Sequence, residues 1–129
     1  RDIAHQVIQL LNQKNKIKIS VLILGFAFKP DCSDVRNTGV FNIYTELLKF
    51  NISPDVYDPL VSAREVKNDY GVEVLPKLPR KNYDAIILAV PHKIFKDDGI
   101  EKIRSLGTKD LIFFDVKSVF KKNESTLRL

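Results

Sequence analysis

Two basic and two acidic side chains share one loop of the sequence, and the basic ones are of the types that hold anions. Lys29 and Arg36 flank Asp31 and Asp34. Lysine supplies a point charge, whereas arginine supplies a planar fork that grips a phosphate with two parallel hydrogen bonds. Two interpretations are open for each cation. Lys29 either contacts an anionic ligand or is an ordinary exposed lysine. Arg36 can hold a phosphate or form a salt bridge with one of the acids, and both can hold at once because an arginine has five donors.

The same loop carries the single cysteine of the chain, Cys32, which is the nearest candidate nucleophile. A catalytic cysteine needs its thiolate form to be stabilised by a base or a cation. Lys29 and Arg36 favour that form, but the two acids of the loop oppose it, and the sequence places no histidine or asparagine partner for the thiol. An incidental loop cysteine is therefore the favoured interpretation.

Two further candidates follow apolar runs that predict strands. His92 is either an acid, a base or a ligand contact, or it caps a short helix at residues 93–95, and the capping role is favoured. Asp58 either binds a ribose hydroxyl, as acids at that place do in nucleotide-binding folds, or ends its strand with the turn-forming pair Asp58-Pro59. The structural role is favoured, because the interval from Gly25 is longer than the nucleotide-binding pattern expects.

A lysine also follows the last predicted strand. Lys117 either faces the same cleft as Lys29 or simply lies where the chain leaves the sheet, while Asp115 is placed to orient that loop. His5 lies on the first predicted helix, and no metal-binding partner accompanies it. The sequence therefore predicts no metal site.

Continuous apolar runs alternate with helical patterns along the chain. The predicted strands are residues 20–24, 54–57, 72–75, 85–90 and 111–114, and the predicted helices are residues 2–13, 40–50, 61–70 and 100–106. Such alternation is typical of a parallel sheet covered by helices on both faces. We expect a doubly wound, Rossmann-like α/β fold of about five strands in three layers, αβα, with strand order 3-2-1-4-5.

This fold places the charged loop at a defined position. Ligands of doubly wound sheets bind beyond the carboxyl ends of the strands, where the winding reverses. The loop after residue 24, the segment after residue 90 and the segment after residue 114 should meet there. The usual dinucleotide fingerprint, Gly-x-Gly-x-x-Gly, is absent, since Gly25 is the only glycine before Gly39. Side-chain charge would then replace bare backbone in binding an anion.

Composition limits the class of protein. The 129 residues predict one domain, and the net charge of +5 is spread without stacking aromatics, zinc ligands or a recognition helix, which argues against nucleic acid as a partner. No apolar run is long enough to span a membrane.

The cysteine content and the ends of the chain support further expectations. A single cysteine fits a cytoplasmic setting. The absence of methionine favours a chain that begins inside a longer protein, and the polar tail, residues 121–129, is expected to be poorly ordered.

Four segments together resemble a known family. Residues 25–29, 34–38, 56–59 and 114–117 look like the carboxyl-terminal, UDP-binding domain of the UDP-glucose/GDP-mannose dehydrogenase family. The Asn37-Thr38 pair and the segment 115–117 are most similar to the branch that acts on UDP-N-acetylhexosamines. The resemblance implies that residues 1–16 are the end of a central linker helix and that residues 17–129 are the UDP-binding domain.

The resemblance also implies a division of labour in a larger enzyme. Family members oxidise the C6 alcohol of a nucleotide sugar to a carboxylate with NAD, through a thioester on a cysteine that lies upstream of this domain. By resemblance, Phe28 and Lys29 contact the UDP-sugar, Lys117 falls where many members carry a substrate-holding arginine, and Arg36 reaches the NAD side of the cleft. No catalytic residue is then expected in this chain. The missing amino-terminal domain and a second subunit, in a homodimer or larger assembly, would be its partners.

Two rival interpretations remain open. One is a stand-alone nucleotide-binding or regulatory module of the same fold, with NAD or another dinucleotide as ligand. The other is a domain whose main task is contact between subunits.

Overall fold

One parallel sheet organises the chain, and helices cover both of its faces. The structure is a computed structural model that describes residues 2–13, 18–80 and 82–128. The strands are β1 (Val21–Leu24), β2 (Asp55–Tyr57), β3 (Tyr83–Leu88), β4 (Gly107–Asp115) and β5 (Leu127–Arg128). The helices are α1 (Ile3–Asn12), α2 (Val40–Lys49), α3 (Ala63–Tyr70) and α4 (Lys93–Ser105), with a short 3-10 helix at Lys122–Glu124.

The strand order is β2-β1-β3-β4-β5, and every neighbouring pair is parallel. β1 therefore lies beside both β2 and β3, so that Ile23 pairs with Val56 on one side and Ile87 on the other. The winding reverses between β1 and β3, and this confirms the predicted doubly wound topology.

The alternation of side chains along the strands divides the core into two layers. Val21 and Ile23 face the layer that α1, α2 and α3 cover, whereas Leu22 and Leu24 face the layer that α4 covers. Successive residues of a strand point to opposite faces, so a strand buried on both sides reads as an unbroken apolar run. The predicted αβα arrangement is confirmed.

Local sequence signals explain where helices start and stop. Ser62 caps α3 by accepting a hydrogen bond from the Glu65 N–H at 3.2 Å, and Gly71 ends the helix with a left-handed φ of 71°. Thr38 accepts from the Val40 N–H at 3.2 Å, one residue before the N-cap position of α2, which Gly39 occupies. Among the described residues, no helix is both long and apolar enough to cross a membrane.

Two predicted elements need correction. Residues 72–75 do not form a strand: only Val74 bridges Val56, and Pro76 follows at once, which prevents further pairing on that side. The tail is built into the fold, because Leu127–Arg128 adds a strand to the free edge of β4 and the Thr126 N–H donates to the Phe113 carbonyl at 2.8 Å.

Helix α4 is longer than predicted. It begins at Lys93 and continues to Ser105, with a kink at Gly99, whose φ of 83° and ψ of 170° are not helical. The predicted segments 93–95 and 100–106 are its two ends. At the start of the chain, the predicted break between a linker helix and the domain falls mostly on residues 14–17, which lie outside the described residues. The boundary at residues 16 and 17 stays a prediction.

Candidate functional site

A cavity of about 370 Å³ opens at the carboxyl edge of the sheet, where the winding reverses. Its floor comes from the segments that follow three neighbouring strands, and its walls come from the starts of two helices. The lining residues are Ala27 and Phe28 after β1, Ala89 and Val90 after β3, Val116 and Lys117 after β4, the N-cap Gly39 with Val40, Asn42, Ile43 and Glu46 of α2, and the N-cap Asp2 with Ile3 and Ala4 of α1. The predicted meeting of these segments is confirmed.

The loop after β1 passes very close to the segment after β3. Gly25 has a φ of 94°, and a Cβ atom built on it would lie 2.6 Å from the Val90 Cβ atom. Both the left-handed conformation and the close approach exclude a side chain here. Gly25 therefore lets the loop turn across the sheet edge and deliver Phe28, which is 55% exposed, to the cavity.

Asp58 fixes the first half of this loop through hydrogen bonds from the loop backbone. Its carboxylate is buried, and it accepts hydrogen bonds from the Phe26 N–H at 2.7 Å, the Ala27 N–H at 3.0 Å, His92 Nε2 at 2.9 Å and the Leu60 N–H at 2.9 Å. Burial alone would raise the pKa of Asp58, but the hydrogen bonds from His92 and from the Phe26 and Leu60 amides outweigh it and leave the pKa below its ordinary value. Its predicted structural role is confirmed.

His92 holds the second half of the loop. It is fully buried, and its Nδ1 atom accepts a hydrogen bond from the Asp31 N–H at 2.8 Å. The residue occupies the N-cap position of α4, as predicted, yet its side chain makes no capping bond. Asp31 takes that task, since its carboxylate accepts from the Lys93 N–H at 2.7 Å. Sequence reasoning missed this network, because nothing in a single chain signals that three distant polar residues meet.

The predicted cations lie at the same edge but in different surroundings. Lys117 lines the cavity and is exposed. Lys29 is exposed next to Phe28 and has no hydrogen bond or ion pair within the described ranges. Arg36 does not line the cavity; its guanidinium is 80% exposed and grips Asp34 through Nε at 3.0 Å and Nη2 at 2.8 Å. The predicted salt bridge is thus present.

The Asp34–Arg36 pair changes the titration of both groups. The side-chain and backbone hydrogen bonds from Arg36 lower the pKa of Asp34 to about 2, and the charge of Lys29 contributes. The same hydrogen bond raises the pKa of Arg36. An incoming phosphate would either use the donors of this guanidinium that Asp34 leaves free or compete with Asp34 for the others.

Asp115 fixes the loop that carries Lys117. It is fully buried at the end of β4, and its carboxylate accepts from the Val119 N–H at 3.1 Å and the Phe120 N–H at 2.8 Å. This confirms its predicted orienting role. Arg128 of β5 adds a contact that the sequence did not suggest, because its Nε atom donates to Ser118 Oγ at 3.1 Å.

The remaining candidates have structural partners. The Cys32 Sγ atom accepts from the Asp34 N–H at 3.3 Å inside a half-buried turn, which agrees with the favoured interpretation of this cysteine. His5 bridges two helices, with Nδ1 2.7 Å from Asp2 Oδ2 and Nε2 3.2 Å from Glu46 Oε1. Across the part of the chain that the structure describes, no group of side chains could hold a metal ion.

The comparisons with known proteins agree with this geometry. Residues 22–122 match the sequence profile of the UDP-glucose/GDP-mannose dehydrogenase family, UDP binding domain. The chain belongs to this family. It is similar to the UDP-N-acetyl-D-glucosamine 6-dehydrogenases of Salmonella typhi and Pseudomonas aeruginosa, each 40% identical to it over 98% of its length. It covers only 30% and 31% of those two relatives.

The fold has close counterparts among solved structures of this family. The UDP-D-ManNAc dehydrogenase of Pyrococcus horikoshii superposes with a TM-score of 0.67 over 93% of this chain and 27% of its own, at 23% identity. At that identity the likeness concerns the fold alone. The resemblance noted from four sequence segments is confirmed, and so is the Rossmann-like architecture.

Proposed function

We propose that this chain binds the nucleotide part of a UDP-sugar in the cavity at the carboxyl edge, as one domain of a larger NAD-dependent dehydrogenase. The observation that carries the proposal is the cavity itself, built from the post-strand segments of β1, β3 and β4 in a domain whose family is defined by UDP binding. Its volume lies within the range of small-molecule sites, roughly 300–1,000 Å³.

The Phe28 and Lys117 side of the cavity suits a nucleoside diphosphate, whereas the side between α1 and α2 carries the carboxylates of Asp2 and Glu46. The exposed ring of Phe28 offers an apolar face to a base or a sugar. Lys117 on the lining and Lys29 next to Phe28 offer ammonium groups to the diphosphate. A hydrogen bond between charged groups contributes roughly 1.5–3 kcal/mol, so two lysines can account for a substantial share of the affinity. The positive end of α2, whose first residues also line the cavity, favours the same anion.

The chemistry belongs to another part of the parent protein in this proposal. The chain spans about 30% of the length of its relatives, and its only cysteine is engaged in a turn. Binding the nucleotide here would hold the sugar against a catalytic cysteine supplied from elsewhere, so that remote binding energy serves orientation. The oxidation of the C6 alcohol to a carboxylate and the preference for a UDP-N-acetylhexosamine are proposed from the names of the two 40% identical relatives.

The residues of this chain do not form a cradle for the NAD pyrophosphate. In dinucleotide-binding folds the backbone N–H groups after the first strand face the phosphates. Here the Phe26 and Ala27 N–H groups donate to the Asp58 carboxylate instead. We therefore propose that NAD is held by the rest of the enzyme, and that Arg36, which is exposed at the same edge, reaches it from this domain. A cytoplasmic location and assembly into homodimers or larger oligomers also remain proposals.

Calorimetric titration of the 129-residue chain with UDP, GDP and NAD tests the proposal. We expect UDP to bind, Lys117→Ala to weaken binding by about tenfold, and NAD to bind far more weakly than UDP. Lys109→Ala is the matched control, because Lys109 is an exposed lysine near the opposite end of the same strand, β4. Binding of NAD alone would favour the stand-alone dinucleotide module, and equal effects of the two lysine variants would remove Lys117 from the site.

A further inference from the structure

A buried polar network lies directly beneath the loop that carries Phe28 and Lys29. It joins Asp58 at the end of β2, His92 after β3 and the Asp31 backbone of the β1 loop itself. Asp58 and His92 have no exposed side-chain surface. Burying a polar group costs free energy unless the group forms a hydrogen bond. In this network the Asp58 carboxylate and both ring nitrogens of His92 have hydrogen-bond partners.

The hydrogen bonds determine the protonation state of the imidazole. Because Nδ1 accepts from the Asp31 N–H, it carries no proton, so Nε2 must carry one and donate it to Asp58. The ring is thus held as the neutral Nε2–H tautomer. The Asp58 carboxylate accepts a hydrogen bond from the ring, and the Asp31 carboxylate accepts one from the N–H of the next residue, Lys93. The centroid of the Phe95 ring is 5.6 Å from that of the imidazole.

The network forms hydrogen bonds with the loop on both sides of Phe28 and Lys29. Asp58 binds the Phe26 and Ala27 N–H groups, and His92 binds the Asp31 N–H. Phe28 and Lys29 lie between these anchors and are exposed. Asp31 is held at a φ of 59°, an uncommon conformation for a residue other than glycine, which the surrounding bonds must stabilise.

We infer that Asp58 and His92 are positioning residues of the nucleotide site: they fix the β1 loop so that Phe28 and Lys29 face the ligand. The inference rests on the proposed function. In a dinucleotide-binding fold the amides at the places of Phe26 and Ala27 would face the pyrophosphate of the ligand. Here they donate to the Asp58 carboxylate, which takes the place of that anion. The loop is thereby ordered before the ligand arrives, and less affinity is lost to ordering it on binding.

Two substitutions of His92 separate its two hydrogen bonds. In His92→Gln the amide nitrogen can still donate to Asp58, but the acceptor for the Asp31 N–H is lost. In His92→Asn the side-chain oxygen can still accept from the Asp31 N–H, but the donor to Asp58 is lost. We expect His92→Gln to speed hydrogen exchange at the Asp31 amide and to weaken UDP binding by about tenfold, whereas His92→Asn keeps that amide protected.

Tyr83→Phe is the control for a buried hydrogen bond far from the cavity. The Tyr83 hydroxyl donates to Asp55 Oδ2 at 2.6 Å at the amino ends of the strands. Its loss should lower the melting temperature without changing the Asp31 exchange rate or the UDP affinity. If His92→Gln behaves like Tyr83→Phe, with lower stability but wild-type affinity and exchange, the positioning role is wrong.

The wild-type chain offers a test that needs no variant. Nitrogen-15 NMR of the imidazoles should show one histidine, His92, as the neutral Nε2–H tautomer, and an Nδ1–H tautomer would overturn the inference. Failure of the wild-type chain to bind UDP would instead refute the proposed function, while the tautomer and the exchange rates would still report on the network.

Discussion

Asp34 and Arg36 form an ion pair at the edge where a ligand role is proposed for Arg36. The guanidinium is exposed, and its Nε and one terminal nitrogen donate to the Asp34 carboxylate. A phosphate can bind Arg36 either through the donors that Asp34 leaves free or by replacing these bonds. The pKa of Asp34 reports whether the bonds remain.

We predict that Arg36→Gln raises the pKa of Asp34 from about 2 toward its ordinary value, because the largest cause of the low value is the hydrogen bond from Arg36. A depressed carboxyl pKa gives stability that is present above the ordinary value and is lost as the pH falls through about 2. The pair is exposed, so the substitution should change the free energy of unfolding little. Carbon-13 NMR titration of the Asp34 carboxyl measures the shift, with Lys109→Ala as control; an unchanged pKa would contradict the pairing.

The candidate residues differ in how far the sequence could reveal them. The positions of Lys29 and Lys117 were predictable, because the carboxyl ends of parallel strands meet at one edge and both residues follow such strands, whereas Phe28 was suggested only by the resemblance to the family. The partnership of His92, Asp58 and Asp31 was not, since it depends on residues more than thirty positions apart that are brought together only by the packed sheet.

At the level of elements, the approach of β1 to β3 sets the shape of the site. Gly25→Ala should lower the free energy of unfolding by more than about 1–2 kcal/mol, the cost of the left-handed backbone alone, because the new methyl group also meets Val90. Gly71→Ala is the matched control: Gly71 also has a positive φ, but a Cβ atom there meets nothing within 4 Å. Urea denaturation measures both. Equal losses would show that the contact with Val90 has no energetic consequence.

The elements also show which sequence signals determine structure. The apolar runs of β1 and β3 were predictable because strands buried on both faces are continuously apolar. β5 was not, since two residues carry no periodicity and pair only because β4 presents a free edge. The first half of α4 was underestimated, because Gly99 interrupts its helical pattern. Each error lies at an edge or a kink, where tertiary contacts outweigh local preference.

For the whole molecule, the central question is what this domain can do by itself. The cavity opens at the sheet edge, and its lining includes one end of α1. Asp58 and His92 are bound to each other and to backbone amides, and Cys32 accepts from an amide in a turn. None of these groups is placed on the cavity lining as an acid, a base or a nucleophile.

We therefore predict that the 129-residue chain binds UDP but does not oxidise UDP-N-acetylhexosamines in the presence of NAD. The physical reason is that nucleophilic catalysis and hydride transfer need an activated cysteine and a bound dinucleotide in one geometry. In the described part of the chain, Cys32 lies off the cavity lining, and the Phe26 and Ala27 amides donate to Asp58. The measurement is the absorbance of NADH over time, with the chain at high concentration and an intact family dehydrogenase as the positive control. NADH formation by the chain alone would refute the division of labour, and its loss in a Cys32→Ser variant would assign the activity to the single thiol.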